Sequence, residues 1–136
     1  MSPELELTRE WFVHAREDLR GAELALADEP PVCRLVCSHC QQAVEKALKA
    51  FLIYQDVEFE WAHEIAYLLR LCETCNDAFA RWRDSASPLT HYAVHLRYPF
   101  RGRIPTPEEA RSAMDVARGV YGFVLQRLPA EVNPEA

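Results

Sequence analysis

Apolar residues recur at three- and four-residue spacing along most of the chain, and sustained alternation of apolar with polar residues appears nowhere. The longest uninterrupted pattern is VCRLVCSHCQQAVEKALKAFLIYQ, Val32 to Gln55, which follows Pro30-Pro31 and contains neither Gly nor Pro. It predicts a helix. At about a hundred degrees per residue, Cys33, Cys37, Cys40, Val44, Leu48 and Phe51 share one stripe wide enough for a core face. On the opposite side Leu35, His39, Gln42, Lys46 and Ile53 line up with Ala43 and Ala50 beside them, so this second face has apolar ends and a polar centre. Such a face predicts cover. Either a second surface lies on it, a dimer mate or a partner protein, or the polar centre holds a ligand.

The remaining pattern places further helices around this one. From Arg9 to Asp28 the stripe is Trp11, Ala15, Leu19, Ala22 and Leu26, with Thr8 as N-cap. The short DEPP connection makes this first helix an antiparallel neighbour of the second. The segment DVEFEWA has acids alternating with apolar residues and reads as a connector. A third helix is expected from about His63 to Cys75, burying Ile65, Leu68, Leu69 and Cys72. Asn76-Asp77 caps a shorter one carrying Phe79 and Trp82, interrupted over Ser85 to Pro88, with a turn or two regained from Leu89 to Leu96. The last helix starts at Thr106-Pro107-Glu108-Glu109, a capping box with proline at its first position. Its stripe is Ala110, Ala113, Ala117, Val120, Val124 and Leu128, and Pro129 ends it; Gly119 and Gly122 within it each cost roughly 1 kcal/mol of helix propensity. The pattern as a whole predicts an all-α protein, an antiparallel up-and-down bundle of four main helices plus a short extra helix. We expect a single domain over residues 1–136, with a core at about 8–128 and loose ends at 1–7 and 129–136.

Composition narrows the function classes. The chain has 136 residues, 49% hydrophobic and 26% charged, enough for one core. No apolar run reaches the roughly 18 residues of a membrane helix, and MSPELELTRE has neither the basic nor the apolar region of a signal peptide, so a cytoplasmic protein without membrane attachment is expected. A net charge of −6 argues against indiscriminate nucleic-acid binding, although Arg97, Arg101 and Arg103 form a local basic patch. The five cysteines are read as reduced thiols. Cys37-Ser-His-Cys40 and Cys72-Glu-Thr-Cys75 have the spacing of a zinc site, but both pairs fall in helical stretches, so they are read as small core hydrophobes and no metal or cofactor is expected. His91 and His95 are four apart, yet Tyr92 and Val94 between them read as packing.

Four motifs occur together: SHCQQAVEKALKAFLI in the second helix, His63-Glu64-Ile65 opening the third, His91-Tyr92-Ala93-Val94 followed by Arg97-Tyr98-Pro99, and PTPEEA at the last helix. Together they resemble the HEPN domain, a nucleotide-binding domain of higher eukaryotes and prokaryotes, over about Thr8 to Leu128. The resemblance implies a helical bundle, usually a homodimer, often encoded beside a small nucleotidyltransferase as in toxin–antitoxin modules. Many such domains resemble metal-independent endoribonucleases that use an Arg followed after four to six residues by a His. This chain departs from that pattern, because no histidine follows Arg97. Arg9 with His14 and Arg34 with His39 have the gap, but in the first and second helices. The expected function is therefore non-catalytic binding of a nucleotide or RNA with a nucleotidyltransferase partner; a ribonuclease and a protein-only adaptor are the alternatives.

The residues expected to carry this chemistry are few. The Arg97 guanidinium would fork onto a phosphate, the Tyr98 ring would stack on a base and Pro99 would hold their loop; otherwise Arg97 pairs with a surface carboxylate and Tyr98 plugs the bundle end. Gln42 would bond a base edge, and Lys46 and Lys49 would attract phosphate, although Glu45 and Lys49 also have the spacing of a surface ion pair. His63 would donate to a phosphate, act as an acid or base near neutral pH, or cap its helix, and Tyr92 joins the ligand set. Leu35, His39 and Ile53 are expected at an interface.

Overall fold

The computed structural model describes residues 1–95 and 103–135, with only the backbone of residues 94 and 95. Its first helix, α1 (Pro3–Ala27), begins six residues before the one expected from Arg9. Ser2 is the N-cap, its hydroxyl accepting from the Leu5 N–H at 3.2 Å, with Pro3 and the acids Glu4 and Glu6 in the first turn. Thr8 is no cap. Its buried hydroxyl donates to the Glu4 carbonyl at 2.8 Å inside the helix. The stripe that α1 buries is Thr8, Phe12, Ala15, Leu19, Ala22 and Ala25, one position displaced from the expected Trp11 and Leu26, which are only partly buried.

Helix α2 (Cys33–Tyr54) runs between caps at Val32 and Gln55, and every residue of its expected core stripe is buried. It lies antiparallel to α1, with Val32 bonded to Ala25, His39 packed at Gly21 and Lys49 over Trp11. α3 (Ile65–Cys75) buries the four residues expected of it and starts two residues later than expected, where the Ile65 N–H donates to the Thr90 hydroxyl at 2.9 Å. The expected shorter helix is a run of brief pieces. A 3-10 segment Asp77–Trp82, capped by Asn76, leads to α4 (Arg83–Ala86), a second 3-10 turn Ser87–Leu89 and α5 (Thr90–His95). Pro88, which has no N–H and restricts Ser87, explains the break.

The last helix, α6 (Pro107–Leu125), starts as its capping box dictates, the Thr106 hydroxyl accepting from the Glu109 N–H at 3.1 Å. Its start meets the first part of α2 through Tyr92, and Phe123 near its end meets Phe51 through Phe79 at ring separations of 4.9 and 4.6 Å. α6 therefore runs in the direction of α2 and against α1, the order of an up-and-down bundle of α1, α2, α3 and α6. No strand occurs among the described residues, and none of their helices is long and apolar enough to cross a membrane. Both stretches expected as loose ends carry helical turns among the described residues. Residues 3–7 are helix, and after α6 a 3-10 turn, Ala130–Val132, buries Val132 while Glu135 pairs with Arg16 of α1.

The thiols belong to this packing. Cys33, Cys37, Cys40 and Cys72 are buried, Cys75 is exposed, and the Cys72 thiol points at the Leu48 carbonyl. Among the described residues no group of three or more His, Cys, Asp or Glu side chains is placed to hold a metal. Burial pushes the Cys37 thiol up to about 11 and Cys40 to about 12, and moves Cys72 in the same direction.

Two expected outcomes follow from the packing. An ideal Cβ at Gly119 would stand 2.5 Å from the Trp82 ring, whereas one at Gly122 would meet nothing within 4 Å. Gly119→Ala should lose about 1–3 kcal/mol through overpacking, and Gly122→Ala should gain up to about 1 kcal/mol of helix propensity; urea unfolding distinguishes the two signs. The raised thiols set the alkaline limit. Below pH 9, thiols are protonated in both states; above it the unfolded chain releases protons that the fold retains, so stability falls as pH rises through about 11 to 12. Urea midpoints at pH 7, 9 and 11 should therefore decline only between the last two.

Candidate ligand-binding site

The polar side chains of α2 divide into two groups by the face they occupy. Gln41, Glu45 and Lys49 are four residues apart, so they stack along one line of the helix beside the core stripe. All three are buried, with 0%, 3% and 0% of their surface exposed. Their bonds run in series. The Lys49 ammonium donates to Glu45 Oε2 at 3.1 Å, and the Gln41 amide nitrogen donates to Glu45 Oε1 at 3.0 Å. His63 Nδ1 meets the same Oε1 at 2.8 Å. The Lys49 ammonium also lies within 4.5 Å of the Trp61 ring centre, 5.5 Å of Trp11 and 5.9 Å of Phe59, near enough for cation–π attraction.

This overturns the view of Glu45 and Lys49 as a surface ion pair, and of Lys49 as a phosphate lure. The cause is the connector between α2 and α3. Its alternating apolar positions Phe59 and Trp61 fold back over Lys49, and His63 arrives from the same segment to close on Glu45. His63 keeps 39% of its side chain exposed, so it bridges the buried ladder and the surface.

The second group faces α1. Asp18 takes the Lys46 ammonium at 2.6 Å on one oxygen and His39 Nδ1 at 2.9 Å on the other. The polar centre of the second face is thus partly covered from within the chain, with the Lys46 and His39 side chains 22% and 38% exposed. Ile53 lies in a groove with Glu4 and Leu7 near the start of α1, while Leu35 remains 48% exposed. Leu35, His39 and Ile53 thus have different neighbours.

Gln42 and Tyr92 do come together. With Arg34, Leu35, Ser38, Gln41 and Ala93 they line a pocket of about 210 Å³ against the first turns of α2. The Gln42 amide nitrogen donates to Gln41 Oε1 at 2.6 Å, which leaves the Gln42 carbonyl oxygen as an acceptor. The Tyr92 hydroxyl donates to Glu109 at 3.4 Å beside the Cys37 thiol, and its burial moves the phenol above its ordinary value. Arg103 also bonds Glu109 and holds that carboxyl below the usual range. α2 opens with no side-chain cap and no acid in its first turn, so its positive end is uncompensated there. Arg97 and Tyr98, the other expected ligand residues, lie outside the described residues.

Arg34, Ser38, Gln41, Glu45 and Asp18 are absent from the expected site. The first two fall off both faces drawn from the sequence. For Gln41 and Glu45 a signal exists, since positions 41, 45 and 49 continue the line of Cys37 at the margin of the core stripe. Asp18 has none, because its partners stand 21 and 28 residues away.

Comparison with known proteins adds a family to this geometry. The sequence profile of the HEPN domain matches residues 8–128. Among solved structures, TT1696 from Thermus thermophilus is 30% identical and superposes with a TM-score of 0.77 over 89% of this chain and 98% of its own. ST0689, an archaeal HEPN homologue, is 25% identical, with a TM-score of 0.72 over 88% and 96%. No curated protein matches the chain.

The buried ladder has a measurable signature. Glu45→Ala leaves the Lys49 charge buried without its carboxylate and should cost about 3–5 kcal/mol, whereas the double variant Glu45→Leu with Lys49→Met should recover most of the loss. Urea unfolding of the two variants beside the unsubstituted protein tests this; a double variant no more stable than Glu45→Ala would show that the two groups do not act as a pair.

Proposed function

We propose a function from a fixed premise: the chain belongs to the HEPN domain family. Within it, the protein binds a nucleotide, or the end of an RNA strand, without altering it chemically, and acts with a small nucleotidyltransferase partner in the manner of a toxin–antitoxin module. The observation that carries the binding is the meeting of Arg34, Ser38, Gln42 and Tyr92 in one pocket at the start of α2. The groups around it supply different parts of nucleotide recognition. A guanidinium forks onto phosphate, the free carbonyl of Gln42 accepts from a base amino group, and the positive end of α2 favours the anion. Arg97 and Tyr98, which follow α5 closely in sequence, complete the phosphate and stacking contacts in this proposal.

The partner and the homodimer rest on family resemblance and on exposed apolar surface. Leu35 at the pocket rim and Trp61 over the ladder are 48% and 76% exposed, a cost that a second protein surface would remove.

One observation favours a second reading. His63 has Nδ1 on a buried carboxylate while part of its ring faces solvent, the arrangement that orients an imidazole for proton transfer. In that reading the domain is a metal-independent ribonuclease.

Thermal unfolding with ATP, GTP or short RNA separates these. A bound nucleotide at a hundred times its Kd stabilises by about 2.7 kcal/mol, a rise of roughly 10 °C for a chain of this size. Arg34→Ala should lose most of that shift, and Lys46→Ala should keep it. RNA cleaved in the presence of a chelator, and no longer cleaved by folded His63→Ala protein, would replace binding by catalysis. No shift at millimolar ligand and no cleavage would leave the adaptor.

A further inference from the structure

A second concavity shares no lining residue with that pocket. It measures about 610 Å³ and runs between α1 and α6, lined by Arg16, Glu17, Leu19, Arg20, Glu23, Arg118, Tyr121 and Glu135. Three arginines and one phenol converge there, and their engagement is uneven. Arg16 is bonded through two of its nitrogens to both carboxylate oxygens of Glu135, which arrives from the segment after α6. Among the described residues Arg20 and Arg118 make no ion pair or side-chain hydrogen bond, although Glu17 and Glu23 stand on the same wall. The Tyr121 hydroxyl is buried and finds no partner among the described residues, while its ring stacks on Phe12 at 4.5 Å. A buried phenol without a partner is rare, because such a group costs about 1–3 kcal/mol unless something accepts its proton.

We propose that this groove is an oxyanion site for the phosphoryl group of a small molecule, and that the Glu135 carboxylate is its built-in competitor. The bidentate Glu135–Arg16 pair shows the geometry that a planar or tetrahedral oxyanion takes on this wall, since carboxylate and phosphate oxygens are met by guanidinium in the same fork. With Glu135 in place the formal charges of the lining residues cancel, three arginines against three acids. When Glu135 withdraws, a net positive charge of one, three guanidinium groups and the Tyr121 O–H remain for a phosphoryl group. The volume suits a ligand of nucleotide size or smaller. Binding should be modest and sensitive to salt, because Glu17 and Glu23 stay on the rim.

The probe is inorganic pyrophosphate, titrated calorimetrically into full-length protein carrying Arg34→Ala, so that the pocket at α2 does not contribute. The outcome is independent of whether that pocket binds nucleotide. Glu135→Gln should tighten binding about tenfold by removing a competitor present at high effective concentration. Arg118→Ala should weaken it at least about tenfold. Tyr121→Phe keeps the stack on Phe12, so it preserves the fold and should weaken pyrophosphate binding several-fold. No saturable binding by the Glu135→Gln protein overturns the proposal, as does equal affinity in the Tyr121→Phe and Glu135→Gln backgrounds. Binding confined to an RNA strand, with none to pyrophosphate, overturns the small-molecule assignment.

Discussion

The structure depends on how a lysine and a glutamate are kept in the interior of a helical bundle. An isolated charge in a medium of low polarity is prohibitively costly, and a bare ion pair recovers that cost only when its remaining donors and acceptors are satisfied. Here Glu45 accepts from Lys49, Gln41 and His63, and three aromatic rings surround the ammonium. That satisfaction requires three separate parts of the chain. Trp11 comes from α1, Gln41 and Glu45 from α2, and Phe59, Trp61 and His63 from the connector. The pair therefore acts as a register device, because sliding α1 or the connector along α2 would uncover a charge.

The same ladder prepares the pocket at the start of α2. Gln41 donates its amide to Glu45 and accepts from Gln42 on its carbonyl, so the Gln42 amide is held by the same chain of bonds. A side chain oriented this way loses less freedom when it meets a ligand, the general advantage of preorganised polar groups. His63 couples this chain of bonds to the surface at its other end. His63 of the connector is linked to the pocket amide of Gln41 through two hydrogen bonds, both to Glu45 Oε1.

Opposite this, α1 does two jobs with two faces. One side carries Asp18, which neutralises Lys46 and orients His39 so that α2 can be buried along most of its length. The other carries Arg16 and Arg20 into the groove shared with α6, where the segment after α6 returns to pair with Arg16. Close approach of the helices makes this possible. Gly21 admits the His39 ring, and Gly119 admits Trp82.

What the chain determines locally is legible from its residues alone. Cys33 to Phe51 repeat at helical spacing, Thr106-Pro107-Glu109 caps α6, and Pro88 breaks the intervening segment; each acts within a few residues, and the motifs SHCQQAVEKALKAFLI and PTPEEA sit on α2 and at the start of α6. The early start of α1 was equally local, since Ser2-Pro3 with Glu4 carries a capping signal as good as any in the chain. Tertiary structure alone decided which polar residues are inside. Glu45 and Lys49 have the spacing of an exposed pair, and only the return of Phe59 and Trp61 across them makes them a buried one. Asp18 meets His39 and Lys46, and Arg16 meets Glu135, across separations that no periodicity encodes. Periodicity reports which side of a helix is apolar, but the partner of a charge is chosen by the packing of helices, a property of three-dimensional arrangement and not of spacing.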